Sequence, residues 1–301
     1  MPAAFLWQLD AVSLGASRLR DVTLTIEPGT TALVGWSGAG KTSLLNVLAE
    51  FEPPDRGTIC GAPRIAWAPQ GAGLWHHCAV REHLEIVGAG PVEVAALLAD
   101  FGLTARRDAR PAELSQGERS RLAMARALAV AADVYLLDEP LAHLDPTSAP
   151  ATWRRIRERI AARGASLVYA THAPETVIAD ATAAICLREG RVLHQGSAAE
   201  LYARPPSAEL MAFLGAGNWF TPDDARHWLG AEWTAAACIR PEQLVAEPVE
   251  TGGFPVISAR FMGSVAELEL AAPNGPRTFY HRPRTATIAA EARVRLRVLA
   301  P

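Results

Sequence analysis

The eight residues Gly35-Trp36-Ser37-Gly38-Ala39-Gly40-Lys41-Thr42, GWSGAGKT, decide how the rest of the chain is read. Their spacing is G-x-x-x-x-G-K-[ST]. Its glycines let the backbone curl until several N–H groups point at one anion, at the positive end of a helix. In that geometry Lys41 lies along the β- and γ-phosphates of a nucleotide, and the Thr42 hydroxyl binds Mg²⁺. The flanks supply the context that the motif needs. Ala32-Leu33-Val34 is a short apolar strand running into the loop, and Thr42 to Phe51, TSLLNVLAEF, carries leucines and valine at helical spacing.

Working outward, Val22 to Ile26 alternates like a half-buried strand, and Pro28-Gly29 marks the turn after it. Val134 to Leu137 and Ser166 to Ala170 are continuous apolar runs, the kind that lie in the centre of a sheet covered on both faces. Helical segments between them give the β-α alternation of a parallel α/β domain. Residues 182–194 form a hairpin turning at Glu189-Gly190.

The 301 residues are enough for one large domain and a small one, and half of them are apolar. Net charge is −3, which disfavours a nucleic-acid partner. The densest basic run, Trp153 to Ile160, puts Trp153, Ile156 and Ile160 on one helical face and reads as a solvated helix. Cys60, Cys78, Cys186 and Cys238 are scattered without a C-x-x-C pair, which fits reduced thiols in the cytosol. The start, MPAAFLWQLD, lacks a basic region and meets Asp10 too soon for a signal peptide. No apolar run approaches the roughly 18 residues of a membrane span, so the chain is expected to be soluble or to reach a membrane only through a partner.

The second chemical element is Val134-Tyr135-Leu136-Leu137-Asp138-Glu139. A carboxylate ending a buried strand beside the phosphate loop is where an acidic partner for Mg²⁺ must stand, which assigns Asp138. Glu139 follows and can face the other side, where a water attacks the γ-phosphate; such a pair points to hydrolysis.

The third element is Leu114-Ser115-Gln116-Gly117-Glu118, followed by Arg119 to Leu128. It resembles the LSGGQ signature of ATP-binding cassette (ABC) ATPases, of which LSQGE is a variant. Other family elements follow the same order: Gln70 at the Q-loop, Leu74 to Val80 at the permease-facing groove, Leu141 to Asp145 at the D-loop and Thr171-His172 at the switch histidine. The resemblance covers roughly residues 10–215. It implies a P-loop ABC nucleotide-binding domain over residues 1–215 with a helical subdomain at about 71–130, and a head-to-tail homodimer or pair of related subunits with two ATPs between them. Glu139, His172 and Gln70 are implied as catalytic. Gly35 to Thr42 with Ser43, Asp138, Ser115, Gln116, Gly117, Glu118 and Asp145 are implied as nucleotide-binding, Ser115 and Gly117 being supplied by the other subunit. Thr42, Gln70 and Asp138 are implied for Mg²⁺. One departure stands out: relatives usually carry an aromatic upstream of the loop to stack on adenine, whereas Ala11 to Asp21, AVSLGASRLRD, has none. Phe5 and Trp7 suit a strand face better, and Trp36 is badly placed as a substitute, so weaker adenine stacking is expected.

After about Gly215 the texture changes. Asn218 to Ala235 is tryptophan-rich, and short alternating strands follow at 254–270, 277–281 and 292–299, as in a small all-β barrel or sandwich. Ala208 to Gly215, Ile239-Arg240-Pro241-Glu242 and Phe261-Met262-Gly263 resemble the end of importer ATPases, where the cassette is followed by an OB-like (TOBE) β-domain, here residues 216–301. The resemblance implies an importer motor at the cytoplasmic face of the membrane, with transmembrane permease subunits and an extracytoplasmic solute-binding protein as partners. An exporter ATPase, or a soluble ABC ATPase in regulation or repair, is the alternative. The transported solute is not legible. Arg260, Arg277, Arg282 and Arg284 read as surface arginines rather than an anion site.

Overall fold

The computed structural model describes residues 5–71, 73–273, 275–283 and 288–299; Met1 to Ala4 of the start and Arg284 lie outside them. The chain divides into two compact units, Met1–Ala198 and Ala199–Pro301. That division falls upstream of 215–220, where the sequence changes texture.

In the first unit, β1 (Trp7–Leu14), β2 (Leu19–Ile26) and β4 (Arg56–Cys60) form an antiparallel sheet in the order β2-β1-β4. The six-stranded sheet adds β3 (Thr30–Val34), β5 (Ile65–Ala68), β6 (Val134–Asp138), β7 (Ser166–Thr171), β8 (Ala183–Arg188) and β9 (Arg191–Ser197), ordered β5-β6-β7-β3-β8-β9. All but the β8–β9 pair run parallel. Every residue of β6 and β7 is buried, as unbroken apolar strands between covering layers must be. The helices are α1 (Lys41–Leu48), α2 (Val80–Glu85), α3 (Pro91–Asp100), α4 (Gln116–Ala129), α5 (Ala149–Ala162) and α6 (Pro174–Asp180). Leu44, Leu45, Val47 and Leu48 of α1 enter the same core as Val12, Leu24, Leu136 and Val168, anchoring the helix behind the phosphate loop.

Helix α5 buries Trp153, Ile156 and Ile160 as its spacing requires. Its arginines are more engaged than a solvated face implies: Arg159 pairs with Glu93 at 2.8 Å and Asp100 at 2.6 Å, and Arg157 with Asp180. These ties bind α5 to α3 and α6.

The second unit opens with α7 (Ala198–Ala203), which straddles the division, and α8 (Ala208–Phe213). A short pair, β10 (Asn218–Phe220) with β11 (Ala237–Ile239), precedes a five-stranded antiparallel sheet. That sheet joins β12 (Leu244–Pro248), β13 (Phe254–Phe261), β14 (Ala266–Leu270), β15 (Arg277–His281) and β16 (Arg293–Val298) in the order β12-β16-β13-β14-β15. Strand β12 also approaches β15, so the sheet curls toward closure around Phe220, Trp228, Leu268 and Phe279. This all-β region is consistent with an OB-like domain.

Arg240 explains why 199–215 belongs with this unit. Its fully buried guanidinium donates to the carbonyls of Tyr202 at 2.9 Å and Ala216 at 3.1 Å, with Met211 at 3.4 Å, and lies 4.1 Å above the Tyr202 ring. One cation thereby satisfies the carbonyls that end α7 and α8. Arg240→Met leaves those carbonyls buried and unmet, which costs about 3 kcal/mol. Amide exchange over α8 and β10–β11 is therefore expected to accelerate about a hundredfold, with exchange over β3 and β6 unchanged.

Candidate functional site at the strand ends

The site is built by register. Val34, the last residue of β3, stands beside Thr171 of β7, and Asp138 of β6 stands beside Ala170. Strand β5 ends level with them, Ala68 pairing Leu137. The residues just past these ends therefore gather at one edge: the phosphate loop after β3, Glu139 after β6, His172 after β7, and the exposed Gln70 two residues after β5.

The loop requires glycine. Gly40, the N-cap of α1, has φ of 105°, and a Cβ there would lie 2.6 Å from the carbonyl oxygen of Arg18. Lys41 is buried; its Nζ donates to the carbonyls of Gly35 at 2.7 Å and Trp36 at 3.2 Å. Burial lowers the Lys41 pKa, and the nearby Glu139 and Asp138 carboxylates oppose that shift. Ser37 and Gly38 are exposed, Ala39 is buried, and Trp36 lies under the Arg188 guanidinium at 5.9 Å.

Asp138 accepts a hydrogen bond from the Thr42 hydroxyl at 2.7 Å on Oδ2, while its Oδ1 is buried without a partner. Burial raises the Asp138 pKa, against the Thr42 bond that lowers it. An orphaned carboxylate oxygen beside a hydroxyl, in a buried spot, fits a hard cation such as Mg²⁺. Glu139 adopts φ of 50°, a left-handed conformation that costs a non-glycine residue about 1–2 kcal/mol. Its N–H donates to the carbonyl of Ala170 at 3.0 Å, which pins the strained residue to β7. The Glu139 Oε2 lies 2.7 Å from Nδ1 of His172, whose side chain is 69% exposed while that of Glu139 is 10% exposed. A carboxylate acceptor means that Nδ1 carries the proton, leaving Nε2 facing away from Glu139.

The signature residues are elsewhere. Ser115 is the exposed N-cap of α4; its Oγ accepts from the Glu118 N–H at 3.2 Å, and the Glu118 carboxylate accepts from the Ser115 N–H at 2.8 Å. That reciprocal box, with the Ser115 backbone N–H as its chief cause, holds Glu118 below its ordinary pKa. Gln116 is exposed, and a Cβ on Gly117 would meet the His143 carbonyl oxygen at 3.2 Å, so the signature abuts the loop carrying Asp145. Asp145 accepts from the N–H groups of Thr147 and Ser148 at 3.0 Å each, engaged in its own turn. The structure thus brings together Lys41, Thr42, Asp138, Glu139 and His172, with Gln70 alongside. It leaves Ser115, Gln116, Gly117, Glu118 and Asp145 around the N-terminus of α4. Trp7 is packed in the core, as a strand-face residue should be.

A strand–loop–helix phosphate cradle with an acidic pair at the end of β6, one strand removed from β3 in the same sheet, defines a P-loop nucleoside-triphosphatase. The ABC transporter family profile matches residues 19–142. The Fe(3+) ions import ATP-binding protein FbpC 1 of Rhodococcus jostii (strain RHA1) is 32% identical over 286 residues, covering 83% of this chain and 82% of that protein. The sulfate/thiosulfate import ATP-binding protein CysA of Thermosynechococcus vestitus is 31% identical over 297 residues, covering 88% and 86%. A solved structure, described as the ATP binding subunit of an ABC transporter, superposes with a TM-score of 0.60 at 26% identity over 70% of this chain. The chain belongs to the ATP-binding subunits of ABC transporters, and it is an ATPase of that family.

One residue to which the sequence gives no role, His83, shapes the segment after β5. His83 is fully buried, accepts the Trp75 N–H on Nε2 at 3.0 Å, and holds the Ala79 carbonyl through Nδ1 at 2.8 Å. Trp75 stacks on His83 at 5.3 Å and carries Arg126 at 4.8 Å; Arg126 also donates to the Gly73 carbonyl at 2.6 Å. Burial is the main cause lowering the His83 pKa; Arg126 and His77 push the same way, while the Ala79 carbonyl and Glu82 oppose them. The folded state thus prefers neutral His83. Its stabilising effect is full above the unfolded histidine pKa of about 6.5 and fades as pH falls below that value. His83→Gln is expected to flatten the acid side of the urea-midpoint profile relative to the native chain, below about pH 6.5. Parallel profiles would show that His83 does not titrate with unfolding.

Proposed function

We propose that the chain is the motor subunit of an ABC importer, hydrolysing ATP at the strand-end cradle and coupling hydrolysis to solute movement through a separate permease. The observation that carries the hydrolytic reading is Glu139: a strained, nearly buried carboxylate fixed by Ala170 and held by His172, one residue past the Asp138 carboxylate. The backbone N–H groups of Gly35 to Thr42 and the Lys41 ammonium bind and orient the triphosphate, with Ser43 following on α1. Thr42 and Asp138, with Gln70 at the flank, are the residues that would hold Mg²⁺; when bound, that ion neutralises charge developing on the phosphate oxygens. Glu139 Oε1 takes a proton from the attacking water, since Oε2 is occupied by His172. His172 keeps Glu139 oriented from Nδ1 and presents Nε2 to the phosphate side.

The Ser115–Glu118 box and Asp145 complete the site from a second copy or a paired subunit, since the exposed N-terminus of α4 offers its dipole and free N–H groups to an anion. ATP binding closes such a pair, and hydrolysis removes the charge that holds it. Import is supported by the relatives, whose names are those of import proteins, and by the all-β second unit, which we read as TOBE-like. Their cargoes differ, Fe(3+) ions against sulfate/thiosulfate, at nearly equal identities of 32% and 31%, so the motor sequence does not carry the solute. No helix among the described residues is long and apolar enough to cross a membrane. Attachment at the cytoplasmic face therefore runs through permease subunits docking near Gln70 to Val80, which receive solute from an extracytoplasmic binding protein.

Glu139→Gln preserves shape and removes the base. ATP turnover is expected to fall by about 10²–10⁴ with ATP affinity retained, and the variant with ATP is expected to bring a multi-span permease down from native membranes. Undiminished turnover would remove Glu139 from the chemistry, and a variant recovered with nucleic acid instead of a permease would overturn import.

A further inference from the structure

We propose that Arg18 holds the nucleoside end of ATP, its guanidinium plane serving as the platform for the base. The inference rests on the nucleotide reading above and concerns the side of the phosphate loop away from Glu139.

Direction comes from the sheet order. Strands β6 and β7, with Asp138, Glu139 and His172, lie on one side of β3, and the Thr42 hydroxyl points to them. On the other side lies β8, whose turn into β9 reaches the loop: Gly190 donates its N–H to the Ala39 carbonyl at 3.0 Å. Arg20 donates its N–H to the Gly190 carbonyl at 2.7 Å, and the Arg18 carbonyl presses on Gly40. The Arg18 segment therefore closes the loop on the side opposite the catalytic acids. A triphosphate with its γ end at Glu139 directs its nucleoside toward Arg18.

The guanidinium is prepared for stacking rather than for phosphate. Its Nε donates to Ser43 Oγ at 3.1 Å, its Nη2 to Glu52 Oε1 at 2.9 Å, and its Nη1 to Glu52 Oε2. Asn46 donates to the same Glu52 at 2.9 Å, so carboxylate and guanidinium are both fixed to α1 and the residues just beyond it. Three N–H groups are engaged in the guanidinium plane, and its charge is matched by Glu52, which makes it a weak additional phosphate ligand. The side chain is nevertheless 45% exposed. Two N–H groups, one on each terminal nitrogen, and both faces remain, and a guanidinium face stacks well on an aromatic ring or a base. The stretch Ala11 to Asp21 has no aromatic side chain that could do this instead.

The test compares ATP with inorganic tripolyphosphate, each titrated into the intact chain with Mg²⁺ present. Arg18→Ala is expected to weaken ATP about tenfold, the scale of one base stack, and to leave tripolyphosphate unchanged. Arg18→Tyr is expected to recover most of the ATP affinity, because a ring supplies a face without the ion pair. Equal loss on both ligands would mean that Arg18 serves the phosphates or merely braces α1, and it would overturn the inference. So would no loss on either, or failure of Arg18→Tyr to rescue. A native chain that bound neither ligand would instead overturn the nucleotide reading itself.

Discussion

Everything at this site depends on the parallel pairing of three buried strands. Val34 beside Thr171 and Asp138 beside Ala170 bring β3, β6 and β7 to an end at one level, so three chain segments far apart in sequence deliver their next residues to one place. Hydrogen-bond register sets that level, in strands β6 and β7 that are buried along their whole length. A slip by one residue would turn Asp138 away from Thr42. The apolar strands thereby do for the chemistry what no local turn could.

The cost of the arrangement is concentrated where function is expected. Glu139 holds a left-handed backbone, Asp138 has a buried oxygen without a partner, and Lys41 is buried with its pKa lowered. Each is unfavourable alone, and on the function proposed above phosphates would ease Lys41 and a cation would ease Asp138. The site is thus poised to gain from its ligand. By contrast, the exposed Ser115 box is a self-sufficient helix cap in one chain, which suits a surface that completes another copy's site.

Much of this was legible in the sequence because it is local. The loop spacing, the apolar runs leading into Asp138 and Thr171, the hairpin at Glu189-Gly190 and the signature at Leu114–Glu118 each lie within a few residues of one another. Boundaries were less legible. The stretch 254–270 is two strands, β13 and β14, parted by 262–265, and α1 stops at Leu48 rather than Phe51. What stayed hidden was long-range. Arg18 finds Ser43 and Glu52, Arg240 finds carbonyls from Tyr202 to Ala216, and Arg159 finds Glu93 and Asp100. Single arginines leave no periodic signal, since only the folded chain selects their partners. His83 escaped for the same reason; in sequence it is one of eight histidines.

On the function proposed above, these strand ends form one nucleotide cradle completed by another copy. The most direct measurement is a crystal structure of the chain with Mg²⁺ and a slowly hydrolysed ATP analogue. The expected complex has Lys41 Nζ moved from the Gly35 and Trp36 carbonyls onto phosphate oxygens, the metal between Thr42 and Asp138, Glu139 facing the γ-phosphate, and Ser115 of a second copy across from it. Triphosphate bound away from Gly35–Thr42, or a fully ordered γ-phosphate with no second copy near it, would contradict the claim.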